Sequence, residues 1–516
     1  MSKRVIALAA AAAALAGPVA APGATAAEAP ARVDVTVGRA VANTVSPTAV
    51  GVNTPFWNGL LTRPDTPELI RKAGIRTLSF NAGGPSDLYH FEKGGWLSPD
   101  PHGPDNGSYE KLTPEFSFDR FARTAQAAHA GMLVHVNYGT GPTATKDAPS
   151  TPEHPKPGDP REAAAWVRYA NRTHHYNVRD WVIGEETYFN GWHPMPPGMP
   201  LNPDAHTDKS PAAYARNSIA YAKAMKAVDP GIRIGIELGT YDPAKTDKPG
   251  PDRNAKLWND AVLGTPGLAA AVDFADIHWY HAARTGGSDA AVLADTASVG
   301  PALRTLRKDL DRASGPRHRI AVVAGESNSA AVPATRQQDT AVGALYLLDD
   351  NLTLLENGAS AVDWWALYNG PNSTADGGWG DLGLLSSGTC PGEKPGTTGR
   401  TKCEPPAGTP FAPYYTMQLL TTALKGGGSL LTTTATGDGT LSAHTVRRAD
   451  GTLAVVLVNK DPKQARNVHL TVPRGYRATR TLSWRQGQAA PTARTGPAPT
   501  ALAPYSAAVV LLTPAK

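Results

Sequence analysis

The chain of 516 residues contains only two cysteines, Cys390 and Cys403. A fold stapled by a disulfide framework is therefore excluded. Both lie in one Gly/Pro-rich stretch, where an oxidising compartment favours a local disulfide over metal or redox chemistry, so no cysteine nucleophile is on offer. Long hydrophobic runs are missing too. The apolar stretch Val5–Ala16 is about 12 residues, short of the roughly 20 that cross a bilayer, and nothing later is long enough. Charge of one sign is scarce: the formal net charge is +5, and about +3 once Lys3 and Arg4 are set aside, too little to suggest nucleic acid. Local metal signatures are absent as well. There is no H-E-x-x-H, His174 and His175 are adjacent and cannot share a helix face, and His278 and His281 lack carboxylates at ligand spacing. No metal or other cofactor is expected. A G-x-S-x-G elbow is also lacking, which removes the serine-hydrolase reading.

What is present is a loop-rich globular chain, with Gly 51, Pro 46, 41% hydrophobic and 18% charged residues. Its length calls for a large barrel plus a smaller module, or several domains. Lys3-Arg4, the apolar stretch and then Ala24-Thr25-Ala26 read as an export signal over residues 1–26. The mature protein is then secreted and extracellular, with a bacterial type of signal and no membrane attachment after cleavage.

From 45 to 405 one pattern repeats: a short apolar run rich in β-branched residues, a loop, and an amphipathic stretch. The eight runs are Ala49–Asn53, Ile75–Phe80, Met132–Asn137, Trp181–Gly184, Ile232–Leu238, Phe274–Tyr280, Ile320–Gly325 and Ala361–Leu367. Runs apolar on both faces that alternate with helices imply a parallel sheet under helices, and eight of them fit a closed (β/α)8 barrel. Pro67 and Gly74 bracket one helix, Tyr214 to Val228 after Ser210-Pro211 shows helical spacing, and Gln337 to Asn357 reads as a third. An open doubly wound sheet would want a glycine-rich phosphate fingerprint after its first strand, and none is found. Residues 410–516 change texture to alternating strands punctuated by Gly437-Asp438-Gly439-Thr440 and Ala449-Asp450-Gly451-Thr452, the pattern of an antiparallel β-sandwich. An early strand within 32–42 has no helix partner and is assigned to that sandwich.

Reactive side chains of such a barrel belong at the C-terminal ends of its strands. Glu186 closes the fourth run and Glu326 the seventh. Cleavage of a glycosidic bond needs one carboxylic acid to protonate the leaving oxygen and a second carboxylate to attack or to activate water, which opposite strand ends can supply. An isolated glutamate is most often a solvated surface group, but these two cap apolar strands where a barrel keeps its site. With Gly83-Gly84-Pro85-Ser86-Asp87, Val136-Asn137-Tyr138-Gly139, Asp276-Ile277-His278-Trp279-Tyr280 and Trp364-Trp365 in barrel order, the chain resembles clan A of the glycoside hydrolases, most nearly the secreted α-L-arabinofuranosidase-like proteins.

The resemblance implies a retaining, double-displacement hydrolase of oligo- or polysaccharide, with Glu186 as general acid/base and Glu326 as nucleophile. His278 and Tyr280 would line the site, the Tyr280 phenol donating to the Glu326 carboxylate. Xylosidase- and glucuronidase-type activities, or a barrel that binds carbohydrate without catalysis, are the alternatives. Sugar contacts are expected from Trp57, Trp192 and Trp364 by stacking and from Asn53, Asn81 and Asn137 by hydrogen bonds. Two positions depart from the relatives' pattern. Glu185 stands where Asn is usual, and Ser79 lies in the segment where an arginine is common. Glu185 either reaches a sugar hydroxyl or, because successive strand residues face opposite sides, turns into the helix layer to pair with a base.

Overall fold

A computed structural model describes residues 30–56, 59–92, 94–97, 109–111, 117–141, 156–191, 204–280, 287–315, 318–331, 335–374, 378–391 and 403–515. The export segment, Trp57 and Trp192 lie outside the described residues.

Eight parallel strands close into a barrel: Val50–Asn53, Thr77–Phe80, Gly131–Val136, Asp180–Ile183, Arg233–Glu237, Phe274–Trp279, Ala321–Ser327 and Ala361–Trp364. Each coincides with one of the eight apolar runs. Their outward residues pack under helices, and their inward residues fill the barrel in layers, as the period of two requires. Leu133, Val182, Phe274 and Val323 form an apolar plug in the interior, with Ala321 and Ala361 packed against it. Two residues further along, His135 and Asp276 make the interior polar, while the corresponding positions Gly184 and Gly325 carry no side chain.

The helices start and stop where their caps dictate. Thr66–Ala73 ends at Gly74, whose φ of 73° lets its N–H bond back to Arg71 and Ile70. Pro211–Val228 begins after Ser210, whose hydroxyl accepts from the Ala213 N–H. Ala341–Glu356 starts four residues later than the spacing suggests, because Gln337–Asp339 form a turn. This helix is apolar nearly all round because both faces are covered, one by the barrel and the other by the C-terminal sheet.

The C-terminal domain is sandwich-like, its layers formed by one curled sheet. Nine strands hydrogen-bond in one continuous order, Thr492–Thr495, Tyr476–Arg485, Ser506–Pro514, Leu453–Asn459, Leu441–Arg448, Gly428–Thr436, Ala31–Val45, Arg466–Thr471 and Ala501–Leu502. The sheet curls around its own core of Val33, Val35, Leu431, Leu453, Val455, Leu457, Val510 and Leu512. Alternate residues of the same strands, Ala454, Val456, Val458, Ala507 and Val509, join the barrel's core instead. A central strand buried on both faces thus glues sheet to barrel. Ala31–Val45 pairs antiparallel with Gly428–Thr436 and parallel with Arg466–Thr471. A further helix, Ala412–Ala423, precedes the sheet where only strands were read. Its buried Pro413, Thr416, Met417 and Leu420 carry helical spacing that the surrounding β texture hid. Cys390 and Cys403 are joined in a disulfide. Among the described residues no helix is long and apolar enough to cross a membrane.

Candidate active site

Two local irregularities aim the glutamates. The sixth and seventh strands pair Asp276 with Val323 and Ile277 with Ala324, then His278 with Glu326, so Gly325 is an extra residue in the seventh strand. Without this bulge strict alternation would send Glu326 outward; with it Glu326 is level with His278 and faces the interior. Glycine is needed there, since a Cβ would lie 2.2 Å from the Asp276 carboxylate. At the fourth strand, Gly184 (φ 83°) and Glu186 (φ 45°) both adopt left-handed conformations. For a glutamate that is a strained backbone, of the kind that persists where the surroundings impose it and that clusters at functional sites. Alternation breaks here too, and Glu185 and Glu186 both reach the interior.

Asp87 braces this strand end from below. Its buried carboxylate accepts from the N–H groups of Tyr138 (2.7 Å), Gly139 (3.1 Å) and Glu185 (3.2 Å). Burial pushes its pKa up to about 7, and the three N–H groups oppose the rise.

The two glutamates converge across 140 positions of sequence. One ligand-type atom from each of Glu185, Glu186, His278 and Glu326 lies within 4.8 Å of the others. His278 Nδ1 sits between the carboxylates, 3.0 Å from Glu186 Oε1 and 3.5 Å from Glu326 Oε2. Tyr188 Oη donates to Glu186 Oε1 at 2.8 Å. Tyr280 Oη donates to Glu326 Oε2 at 2.5 Å, and Asn81 Nδ2 donates to the other oxygen at 2.8 Å. The Glu186 side chain is 26% exposed and that of Glu326 only 5%, so the pair spans the boundary between solvent and interior.

Electrostatics follow from burial. Desolvation raises Glu326 well above the ordinary carboxylate value, and Glu185 and Glu186 add to the rise; His278 and the Tyr280 hydrogen bond oppose it without cancelling it. Burial disfavours the His278 cation, but Glu326, Glu185, Glu237 and Glu186 together carry it well above the ordinary imidazole value. Held between two glutamates, His278 is thereby biased toward its protonated form.

Other expected contacts are placed differently. Glu185 is fully buried, with Oε2 3.0 Å from His135 Nδ1. It neither opens to the cleft nor enters the helix layer; it turns into the barrel toward an interior imidazole. Trp364 faces the helix layer, fully buried, with its ring 6.5 Å from that of Tyr346. Its neighbour Trp365 is the one beside Tyr280, with Ala366 and Leu382. Asn53 donates to the Gly325 carbonyl at 2.8 Å and so holds the bulge. Asn137 donates to the Tyr89 carbonyl (3.1 Å) and to Thr140 Oγ1 (3.0 Å), ordering the loop after the third strand. Ser79 is fully buried, in register with Asn53 on one side and with Leu133 on the other.

Residues to which the sequence assigned no role are three inward positions on the third, fifth and sixth strands: His135, Glu237 and Asp276. All three are fully buried, and they lie between the apolar plug and the glutamates. The signal was present, because His135 stands two before Asn137 and Asp276 two before His278, on the same faces.

This architecture, a closed parallel barrel whose fourth and seventh strands carry facing glutamates and whose last helix seats a curled β sheet, defines the class of fold. No family model and no curated protein sequence matches the chain. Solved structures do. The chain is similar to an arabinofuranosidase at 17% identity and TM-score 0.66, covering 93% of this chain and 100% of that one. It is similar to the α-L-arabinofuranosidase from Thermotoga maritima, solved with arabinose, at 17% identity and TM-score 0.65, covering 93% and 99%. A xyloglucanase of glycoside hydrolase family 44 from Paenibacillus polymyxa follows the same path at 13% identity and TM-score 0.61, covering 94% and 100%. At such identities the likeness establishes the fold.

Proposed function

We propose that this protein is an exported glycoside hydrolase that works with retention of anomeric configuration, and that its substrate is a terminal α-L-arabinofuranoside of plant or microbial polysaccharide. The observation that carries the reading is the convergence of Glu186 and Glu326 to within 4.8 Å, with Tyr280 and Asn81 each donating to one oxygen of Glu326. Retaining glycosidases hold their carboxyl groups about 5–5.5 Å apart and inverting ones about 6.5–9.5 Å, so a close pair favours direct attack over an intervening water.

In the first step Glu326 attacks the anomeric carbon while Glu186 gives a proton to the glycosidic oxygen. The carbon–oxygen bond breaks, the aglycone leaves, and an ester to Glu326 remains. In the second step Glu186 takes a proton from water, which attacks the same carbon and frees Glu326. His278, between the two carboxylates, favours the ionised form of whichever carries charge. The arabinofuranosidases among the similar structures support an arabinofuranoside, and the xyloglucanase supports the alternative of a xyloglucan chain. A panel of aryl glycosides tests the choice. Turnover of the α-L-arabinofuranoside above the β-xyloside and β-glucuronide, with overall retention seen by NMR, is expected. Inversion, or absence of turnover on every glycoside, overturns it.

A further inference from the structure

Below the catalytic pair lies a second constellation that the proposed hydrolysis does not use. His135 Nδ1 stands 3.0 Å from Glu185 Oε2 and 3.7 Å from Glu237 Oε1, and a donor atom from each of the three lies within 4.8 Å of the others. All three side chains are fully buried. Neither oxygen of Glu237 receives a hydrogen bond, and His135 Nε2 makes none. On the far side of the ring Asp276 Oδ2 lies 3.6 Å from Nε2, and the Gly325 N–H fixes the other Asp276 oxygen at 2.8 Å. Asp276 thus stands behind the ring without hydrogen-bonding it, and His135 turns its other nitrogen to the two glutamates. The spacings of 3.0 and 3.7 Å bracket the edge of about 3.3 Å for a tetrahedron with bonds of about 2.0–2.1 Å. The same nitrogen donates a hydrogen bond to the Gly184 carbonyl oxygen at 3.2 Å.

We propose that His135, Glu185 and Glu237 bind one first-row divalent cation, Zn2+ fitting best, inside the barrel beneath the catalytic glutamates. One imidazole among carboxylates suits zinc and its neighbours, whereas calcium and magnesium call for oxygen donors throughout. A cation takes the place of the proton that His135 donates to Gly184, so its binding releases a proton. The proposal does not depend on the hydrolase reading.

The test uses untagged full-length protein, treated with chelator, desalted and titrated with Zn2+ by calorimetry in buffers of different ionisation enthalpy; Co2+ absorption gives an independent readout. One equivalent bound with proton release is expected, with affinity at least about tenfold weaker in His135→Gln and in Glu237→Gln. Glu326→Gln should bind the metal as the wild type does while losing turnover, so the two proposals fail separately. Circular dichroism checks folding, and should His135→Gln not fold, Glu237→Gln, which removes a buried charge, carries the comparison. Absence of stoichiometric binding in the wild type, or unchanged affinity in the folded variants, overturns the site.

Discussion

The barrel mouth and the seam between barrel and sheet both bury acids around a histidine, but they balance them differently. At the seam every charge has a partner. Asp349 accepts from His444 Nε2 (2.8 Å), Lys460 (3.0 Å), Thr296 (2.9 Å) and Ser442 (3.1 Å), and His444 Nδ1 faces Glu356 at 3.0 Å. Although burial opposes it, Lys460 and His444 hold Asp349 well below the carboxylate range. Burial likewise opposes the His444 cation, but Glu356 and Asp349 raise it to about 10. At the mouth, Glu185, Glu237, Asp276 and Glu326 share two imidazoles, His135 and His278, and all four acids are raised, first of all by desolvation. The seam spends its polar groups on holding two domains in register. The mouth keeps carboxylates in a state that opposes folding, which is expected where they serve chemistry or a ligand.

Substitutions that neutralise an acid should therefore have opposite effects in the two regions. The largest expected change is in activity: Glu186→Gln or Glu326→Gln should cut aryl-glycoside turnover by about 10²–10⁴-fold or more with an unchanged circular dichroism spectrum. A residual rate near wild type would break the assignment of the mouth. Next comes Asp349→Ala, which leaves His444 and Lys460 without their buried partner and should destabilise by about 3–5 kcal/mol in urea unfolding. Tyr280→Phe removes a hydrogen bond to a charged group, worth about 1.5–3 kcal/mol, and should lower kcat about 10–100-fold. It should also move the acidic limb of the kcat/KM profile to higher pH, since the lost donor was holding Glu326 down. A drop in kcat with no such shift would reduce Tyr280 to a packing role.

Smallest, and opposite in sign to Asp349→Ala, is Glu237→Gln. Removing an acid that burial raises should stabilise the metal-free protein at neutral pH by about 1 kcal/mol. The pH dependence sharpens the contrast. A carboxyl raised in the fold binds its proton more tightly there than in the unfolded chain, so the Glu237 penalty grows as pH rises above the ordinary carboxylate value. The gain from Glu237→Gln should vanish near pH 4. The His444 contribution runs differently: its raised pKa makes it complete below about pH 6.5 and lost as pH climbs through about 10. Asp349, being lowered, loses its share as pH falls below about 4. Thermal melts of wild type, Glu237→Gln and His444→Ala from pH 4 to 10 measure both trends, and identical profiles in the two regions would dissolve the comparison.

Much of this was legible before any coordinates. The eight strands are apolar on both faces, so each stands out as a β-branched run whose length and spacing demand a closed parallel sheet. Glu186 and Glu326 end two of these runs, and the C-terminal end of a strand is where such a barrel exposes side chains. His278 and Tyr280 share one face of the sixth strand because they are two residues apart. Trp364 was misplaced for the converse reason: its strand reads as apolar throughout, and nothing local tells an outward tryptophan from an inward one.

The sequence alone thus determined the barrel, the order of its strands and the two glutamates that cap them, because hydrophobic period and run length are local properties of the chain. Only tertiary structure decided where those glutamates point. The extra residue at Gly325 is defined by pairing with a neighbouring strand, and the turn at Gly184 and Glu186 by left-handed backbone that no residue pattern marks. The cluster of His135, Glu185, Glu237 and Asp276 comes from four strands spread over 142 positions, so its members become neighbours only when the barrel closes.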